Sequence, residues 1–196
     1  MTSSSEPGAV IDAIETPRLV LRRWRDADRE PFAALNADPE VMRHFPSVLD
    51  RAESDALVDR IEQHFAEHGF GLWAVEVRGA EPFAGFVGLM YPRFEAHFTP
   101  CVEIGWRLGR GAWGRGIATE AARASLRFGF ESLGLDEIVS FTVPANLRSL
   151  GVMQRLGMQR DPAGDFEHPR IAEGHALRAH VLYLVRATAG PLTARA

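Results

Sequence analysis

Leu108-Gly109-Arg110-Gly111-Ala112-Trp113-Gly114-Arg115-Gly116-Ile117-Ala118-Thr119-Glu120-Ala121-Ala122 is the stretch that decides the fold of this chain. It follows an apolar strand pattern, Val102 to Leu108, and runs straight into a helical pattern over 117–133. Glycines at 109, 111, 114 and 116 strip side chains from the turn between the two, so backbone N–H groups can approach a ligand closely. The helix beginning near Gly116 adds unpaired amides and the positive end of its dipole, which together favour phosphate. The stretch reads as a pyrophosphate cradle, and the question becomes whose pyrophosphate it holds.

Composition narrows the answer. With 196 residues and 46% hydrophobic content the chain can bury a sizeable core, most simply as one domain over 16–187 with tails at 1–15 and 188–196. The net charge is −4 and no basic tract with interleaved aromatics occurs, so nucleic acid is not expected as a partner. All 22 basic residues are arginine, which excludes lysine as a catalytic base. The single cysteine, Cys101, excludes an internal disulfide and fits a reducing cytoplasm. The Ser-rich amino terminus lacks the basic start and apolar run of a signal peptide, and the longest apolar stretch, Phe83 to Tyr91, is far short of the roughly 18 residues that span a bilayer. A cytoplasmic protein without membrane attachment, monomeric or homodimeric, is the expectation.

Periodicity sets out the rest. Arg18 to Trp24 alternates as a half-buried strand; Asp26 is the expected N-cap of a helix to Ala37, and Asp38-Pro39 the start of a short helix towards Phe45. Ala56, Leu57, Ile61 and Phe65 recur at helical spacing within 49–68, ended by Gly69. Strands at 72–77 and 82–91 form a hairpin about 78–81, and the strand at 102–108 continues an antiparallel run. Helix 117–133, strand 137–143, helix 147–156 and strand 180–185 then alternate, so the strands flanking the first of these helices should be parallel neighbours.

Two common glycine-rich loops do not fit. A Walker loop needs a lysine followed by Ser or Thr, and there is no lysine. A dinucleotide-binding loop follows the first strand of its unit with Gly-x-Gly-x-x-Gly; here the loop follows an antiparallel run and the glycine order at 111, 114 and 116 is wrong, although Asp136 stands 20 residues beyond Gly116.

Trp113-Gly114-Arg115-Gly116-Ile117-Ala118 resembles the acetyl-CoA pyrophosphate motif of the GNAT N-acetyltransferases, Gln/Arg-x-x-Gly-x-Gly/Ala, and Thr119-Glu120-Ala121 continues as in the RimJ/RimL-like branch. Trp113 replaces the general motif's Gln or Arg, a departure that branch shares. Asn146-Leu147-Arg148-Ser149 with Gln154-Arg155-Leu156-Gly157-Met158 is similar to the branch's Asn-x-x-Ser…Leu-Gly-Phe element, as are Pro17 to Arg22 and Glu103 to Trp106. The resemblance covers about 16–187 and implies an α/β (α+β) GNAT fold: a mixed, mostly antiparallel central sheet with a splayed parallel pair, strand 4 (about 101–108) and strand 5 (about 137–143), and flanking helices.

It also implies acetyl-CoA as co-substrate, with no metal, and a primary amine as acceptor, on a protein N-terminus or a small molecule. The pantetheine arm would lie in the splay against Ile104, Trp106 and Leu108. Trp113, Gly114, Arg115, Gly116, Ile117, Ala118 and Thr119 would hold the pyrophosphate, with Arg110 as a further charge or a solvated loop residue, and Asn146 would contact the cofactor. An alkylammonium has a pKa of about 10, so a base must take its proton. Glu103 is the candidate, against the plainer reading of a salt-bridged strand carboxylate. The oxyanion needs a donor, which a backbone N–H near 104–106 can supply. The tyrosine that many family members use as acid, about seven residues after the asparagine, is Met153 here; Ser149 is the substitute candidate, against a helix residue that holds CoA or a water.

Several other residues are open to two readings. His64 and His68 stand four apart on a helix, which suits a metal less well than a solvated face. His168, His175 and His180, with Asp165 and Glu167, form a late cluster that either shapes the acceptor site and titrates near neutrality or is structural. Cys101 as an acyl-carrying nucleophile is the lesser alternative to direct transfer. A catalytically silent acyl-CoA sensor is the rival to an enzyme.

Overall fold

The computed structural model describes residues 13–187. A single eight-stranded sheet runs through it, in the order β1-β2-β3-β4-β5-β6-β8-β7. The first five strands, Ala13–Glu15, Leu19–Arg22, Leu72–Val77, Gly85–Met90 and Glu103–Leu108, pair antiparallel in sequence order. β6 (Glu137–Thr142) lies parallel beside β5, and β8 (Ala179–Arg186) pairs antiparallel between β6 and β7 (Gln159–Glu167). The helices are α1 (Arg29–Ala37), α2 (Arg51–His68), α3 (Ile117–Glu131) and α4 (Leu147–Arg155).

Two faces follow from strand alternation. Trp73, Leu89, Ile104 and Ile138 face α3, whose Phe128 meets Trp73 at 5.3 Å between ring centroids. Gly129 lets α3 sit this close: a Cβ there would fall 2.6 Å from Ile138 Cδ1 and 3.0 Å from Leu89 Cδ1. On the opposite face Phe32 of α1 packs edge-on against Trp24 at 4.8 Å and Phe86 at 5.9 Å. A buried ion pair anchors α1 to β2. Arg22 Nη1 and Nη2 donate to the Asp28 carboxylate at 2.7 and 2.9 Å, Nη2 also to the Pro82 carbonyl, and Nε to Glu76. Burial of two charges is tolerable only with this degree of pairing.

The expected architecture is present, with local corrections. Asp26 does not cap α1: a 3₁₀ turn, Asp26–Asp28, comes first. Asp28, the residue before α1, makes no side-chain cap because its carboxylate takes Arg22 and the Arg25 N–H. Residues 38–45 form turns instead of a helix; Asp38 Oδ1 accepts from the Glu40 N–H, and only Met42 N–H to Asp38 O has helical spacing. The strand expected at 82–91 shortens to Gly85–Met90. β7 has no apolar alternation and carries Pro162 and Gly164 at a register break between Asp161 and Phe166, as an edge strand can. Within the tail expected at 1–15, Ala13–Glu15 is a strand; 1–12 and the tail at 188–196 lie outside the described residues.

Candidate active site

The turn from β5 to α3 supplies the cradle. Gly114 and Gly116 have φ of +72° and +77°, a conformation that costs a side-chain-bearing residue strain. Gly116 precedes α3 with no side-chain cap, and the first helical bond runs from Glu120 N–H to Gly116 O at 3.0 Å. The N–H groups of Ile117, Ala118 and Thr119 therefore have no intrahelical partner. Above them opens a cavity of about 1100 Å³, lined among others by Trp106, Leu108, Trp113, Gly114, Gly116, Ala118, Thr119, Asn146 and Ser149. Trp113 is fixed by its indole N–H on the Leu108 carbonyl at 2.8 Å, with the Arg148 guanidinium 4.1 Å from its ring centre.

Behind the cradle, Thr16 Oγ1 and the Arg18 N–H and Nε all donate to Glu120, and Arg18 Nη1 donates to the Arg115 carbonyl at 3.1 Å. Burial tends to raise the Glu120 carboxyl, but these donors outweigh it and hold its pKa below the usual value.

Beside the cradle the sheet splays. β5 and β6 share one register pair, Glu103↔Val139, closed by Val139 N–H on Val102 O at 2.9 Å, whereas β4 and β5 share six. Beyond Glu103 the β6-facing backbone of β5 is free for a ligand that pairs as a strand does. Uncapped amides, a large adjoining cavity and an opened strand edge fit the pyrophosphate and pantetheine arm of a CoA.

Comparison with known proteins agrees with this geometry. The family described as an acetyltransferase (GNAT) domain matches residues 18–159. The chain belongs to the GNAT family. It is an acetyltransferase by that membership. An uncharacterized N-acetyltransferase, YnaD, of Bacillus subtilis is 30% identical over 76% of this chain and 83% of its own. The FsC-acetyl coenzyme A-N(2)-transacetylase of Aspergillus fumigatus is 32% identical over 81% of this chain and 67% of its own. A GNAT-family acetyltransferase structure from Bacillus anthracis superposes with a TM-score of 0.72 at 25% identity, covering 89% of this chain and 98% of that one.

The GNAT residues singled out from sequence do not all share the cavity. Ile104 and Ile117 are core, 0% and 2% exposed, so only their backbone is available to a ligand. Arg115 is exposed and turns to the Gly111 carbonyl and Glu81. Arg110 pairs loosely with Asp38 at 3.7 Å. Asn146 lines the cavity, but both ends of its amide are engaged: Oδ1 accepts from Ser149 N–H, capping α4, and Nδ2 donates to Thr142 Oγ1. Ser149 lines the cavity; Met153 is fully buried, so the usual acid position is core.

Glu103 is not among the cavity-lining residues. Alternation puts it with Gly105 and Arg107 on the α1/α2 face, and of the three only Arg107 lines the cavity. No arginine pairs with it among the described residues, which removes the salt-bridge reading, and burial pushes its carboxyl up to about 8. Ser149 and Glu103 thus flank the splay from opposite faces.

The histidines are corrected. His64 Nδ1 bonds the Phe70 carbonyl at 2.8 Å, and Nε2 accepts the Tyr91 N–H at 3.1 Å, a fixed neutral tautomer rather than a solvated ring. His168 and His180, 5.1 Å apart, sit among Phe94, Phe141 and Phe166. Burial, then the neighbouring His180, pushes His168 down to about 4, which keeps it neutral, and burial lowers His180 as well. Burial raises Cys101 to about 11, with help from Glu103 and Glu137, leaving a thiol, not a nucleophilic thiolate. Among the described residues no three His, Cys, Asp or Glu side chains cluster as a metal site, and no helix is long and apolar enough to cross a membrane.

Sequence reasoning missed Arg107, Phe45, Asn36 and the Arg18–Glu120 contact. The unbroken Glu103-x-Gly105-x-Arg107 alternation was the one signal available for the first of these.

Proposed function

We propose that this GNAT protein transfers the acetyl group of acetyl-CoA to a primary amine, on a small molecule or a protein N-terminus, by direct attack, as a RimJ/RimL-like enzyme of the cytoplasm. The observation that carries this is the uncapped start of α3 behind left-handed Gly116, opening into a cavity beside the one-pair β5/β6 joint. The N(2)-transacetylase relative supports an amine acceptor.

Acetyl-CoA, when bound, supplies an activated acetyl thioester. The backbone amides of 117–119 hold the pyrophosphate, and Trp106 and Leu108 line the arm. Glu103 takes the proton of the incoming ammonium, directly or through water. A base with a pKa of about 8 is better matched to an amine of about 10 than an ordinary carboxylate is. Backbone N–H groups of the splayed strand orient the thioester carbonyl, and the Ser149 hydroxyl stands on the cavity side as proton donor at the sulfur.

Calorimetric titration with acetyl-CoA, CoA and NADH tests the first step. Micromolar binding of the CoA compounds alone supports the reading, and an amine panel followed by thiol release then tests transfer. No CoA binding by folded protein would overturn it. The burial of Met153 where the family's acid commonly stands favours one rival, a silent acyl-CoA sensor. Tight CoA binding without transfer to any amine would establish that rival.

A further inference from the structure

Arg107 is a half-buried cation without a carboxylate. Burial alone pushes its pKa down, to about 10, with no acidic neighbour to offset the cost, and it forms no ion pair among the described residues. Other half-buried arginines of this protein are paired: Arg22 with Asp28 and Glu76, Arg23 with Glu62. An unpaired buried guanidinium is expensive and persists where something else uses the charge.

Its surroundings set how it can be used. The Cζ lies 4.1 Å from the Phe45 ring centre and 5.5 Å from that of Phe86, so two aromatic rings stack against the group. Nη1 donates to Asn36 Oδ1 at 2.6 Å, and Asn36 is itself buried and held by donating to Ser54 Oγ. That leaves the Nε/Nη2 edge. Nε is a buried donor with no partner, and Nη2 makes no hydrogen bond. The side chain lines the 1100 Å³ cavity together with Phe45. A guanidinium stacked on aromatic rings, with a buried Nε donor left unpartnered, matches a planar oxyanion approaching in plane.

Resting on the acetyl-transfer reading, we propose that the acceptor amine carries a carboxylate and that Arg107 is the residue that binds it. Arg107 shares a strand face with Glu103, with side-chain-free Gly105 between them. Four residues of strand put their backbones about 13 Å apart. The side-chain-free space at Gly105, where a Cβ would stand 3.8 Å from Glu103 Oε1, suits an acceptor that bears amine and carboxylate at separate ends of a short chain.

The test uses product analogues, ω-acetamido acids of three to six carbons, titrated by calorimetry into the CoA-loaded protein. Their carboxamides and matching phosphonates form the comparison arms. The tightest acid should bind wild type at least about tenfold better than its amide, the scale of one charged hydrogen-bonded pair. Arg107→Gln should erase that preference, and Arg107→Lys should retain part of it, with CoA affinity unchanged in both. Tighter binding of the phosphonates would reassign the anion to a phosphoryl group and overturn the carboxylate. Acid and amide binding wild type alike, or no acid binding, would overturn the proposal; this comparison needs no folded variant. Acid preference without transfer to any amine would leave the anion site standing and sink the enzyme reading. Transfer without acid preference would do the reverse.

Discussion

Arg18 and Glu120 stand 102 residues apart and meet three times, through the Arg18 backbone N–H at 3.2 Å, Nε at 2.6 Å and Nη2 at 2.5 Å. The same arginine reaches the Arg115 carbonyl, so the residue just before β2 braces the cradle turn. Arg18 is 53% exposed, and such a pair adds little to global stability. Glu120→Gln should weaken CoA binding by about three- to tenfold, the range of one charge-assisted bond, while the melting temperature shifts by only a few degrees. Calorimetry and a thermal melt on the same sample separate the two effects; unchanged CoA affinity would make the brace merely structural.

Gly116 has φ of +77° at the uncapped start of α3. Gly116→Glu introduces strain and a negative charge against the phosphates. CoA binding should fall by more than about a hundredfold, while far-ultraviolet circular dichroism remains that of the folded protein. Surviving CoA affinity would mean the cradle is misassigned.

Glu103 titrates near 8 because it is buried. As a base it works when deprotonated, so kcat/KM should rise with pH and level off above about 8, and Glu103→Gln should lower kcat about a hundredfold and remove that limb. Stability has the opposite sign. Between the ordinary carboxyl value and about 8 the folded state holds a proton that the unfolded chain has lost, so stability falls as pH rises through this window. Glu103→Gln should accordingly melt higher than wild type at pH 9. A variant with wild-type turnover at all pH values would remove the base.

Ser149 lines the cavity, whereas its backbone N–H donates to Asn146 Oδ1 in the α4 cap. Ser149→Ala leaves that backbone cap intact, so kcat should fall about ten- to a hundredfold with the KM for acetyl-CoA little changed. A rise in KM alone would mark a binding contact instead.

Asp28 is the buried partner of Arg22, with side chains 4% and 6% exposed. Asp28→Ala strands that guanidinium and should cost about 3–5 kcal/mol in denaturant unfolding. A loss within 1 kcal/mol would show that Glu76 and the Pro82 carbonyl suffice for Arg22.

What could be read from the sequence was what local chemistry dictates. Glycines at 114 and 116 announce a turn that only they can make, and Ile61 and Phe65 announce a helix by spacing. β7 was hidden because an edge strand pairing only with β8 needs no apolar alternation. Glu103 was visible as a strand residue, but its burial was not, and Arg107 stands out only once Asn36 of α1 and Phe45 of the 38–48 loop are seen against it, which no local pattern records. Asn146 shows the opposite failure. A residue belonging to a recognisable motif proved to be engaged in starting α4.

The lone Glu103↔Val139 pair has a kinetic corollary. A sheet seamed at one point is a wall with a slit, and one cavity can be filled from either face of it. With the cradle at the α3 end of the cavity and Arg107 lining that same cavity from the α1/α2 face of β5, both reactants can be resident at once. Neither must depart to admit the other, and no acyl group needs to be parked on the protein in between. Initial-rate plots should therefore intersect, as they do for a ternary complex, rather than run parallel.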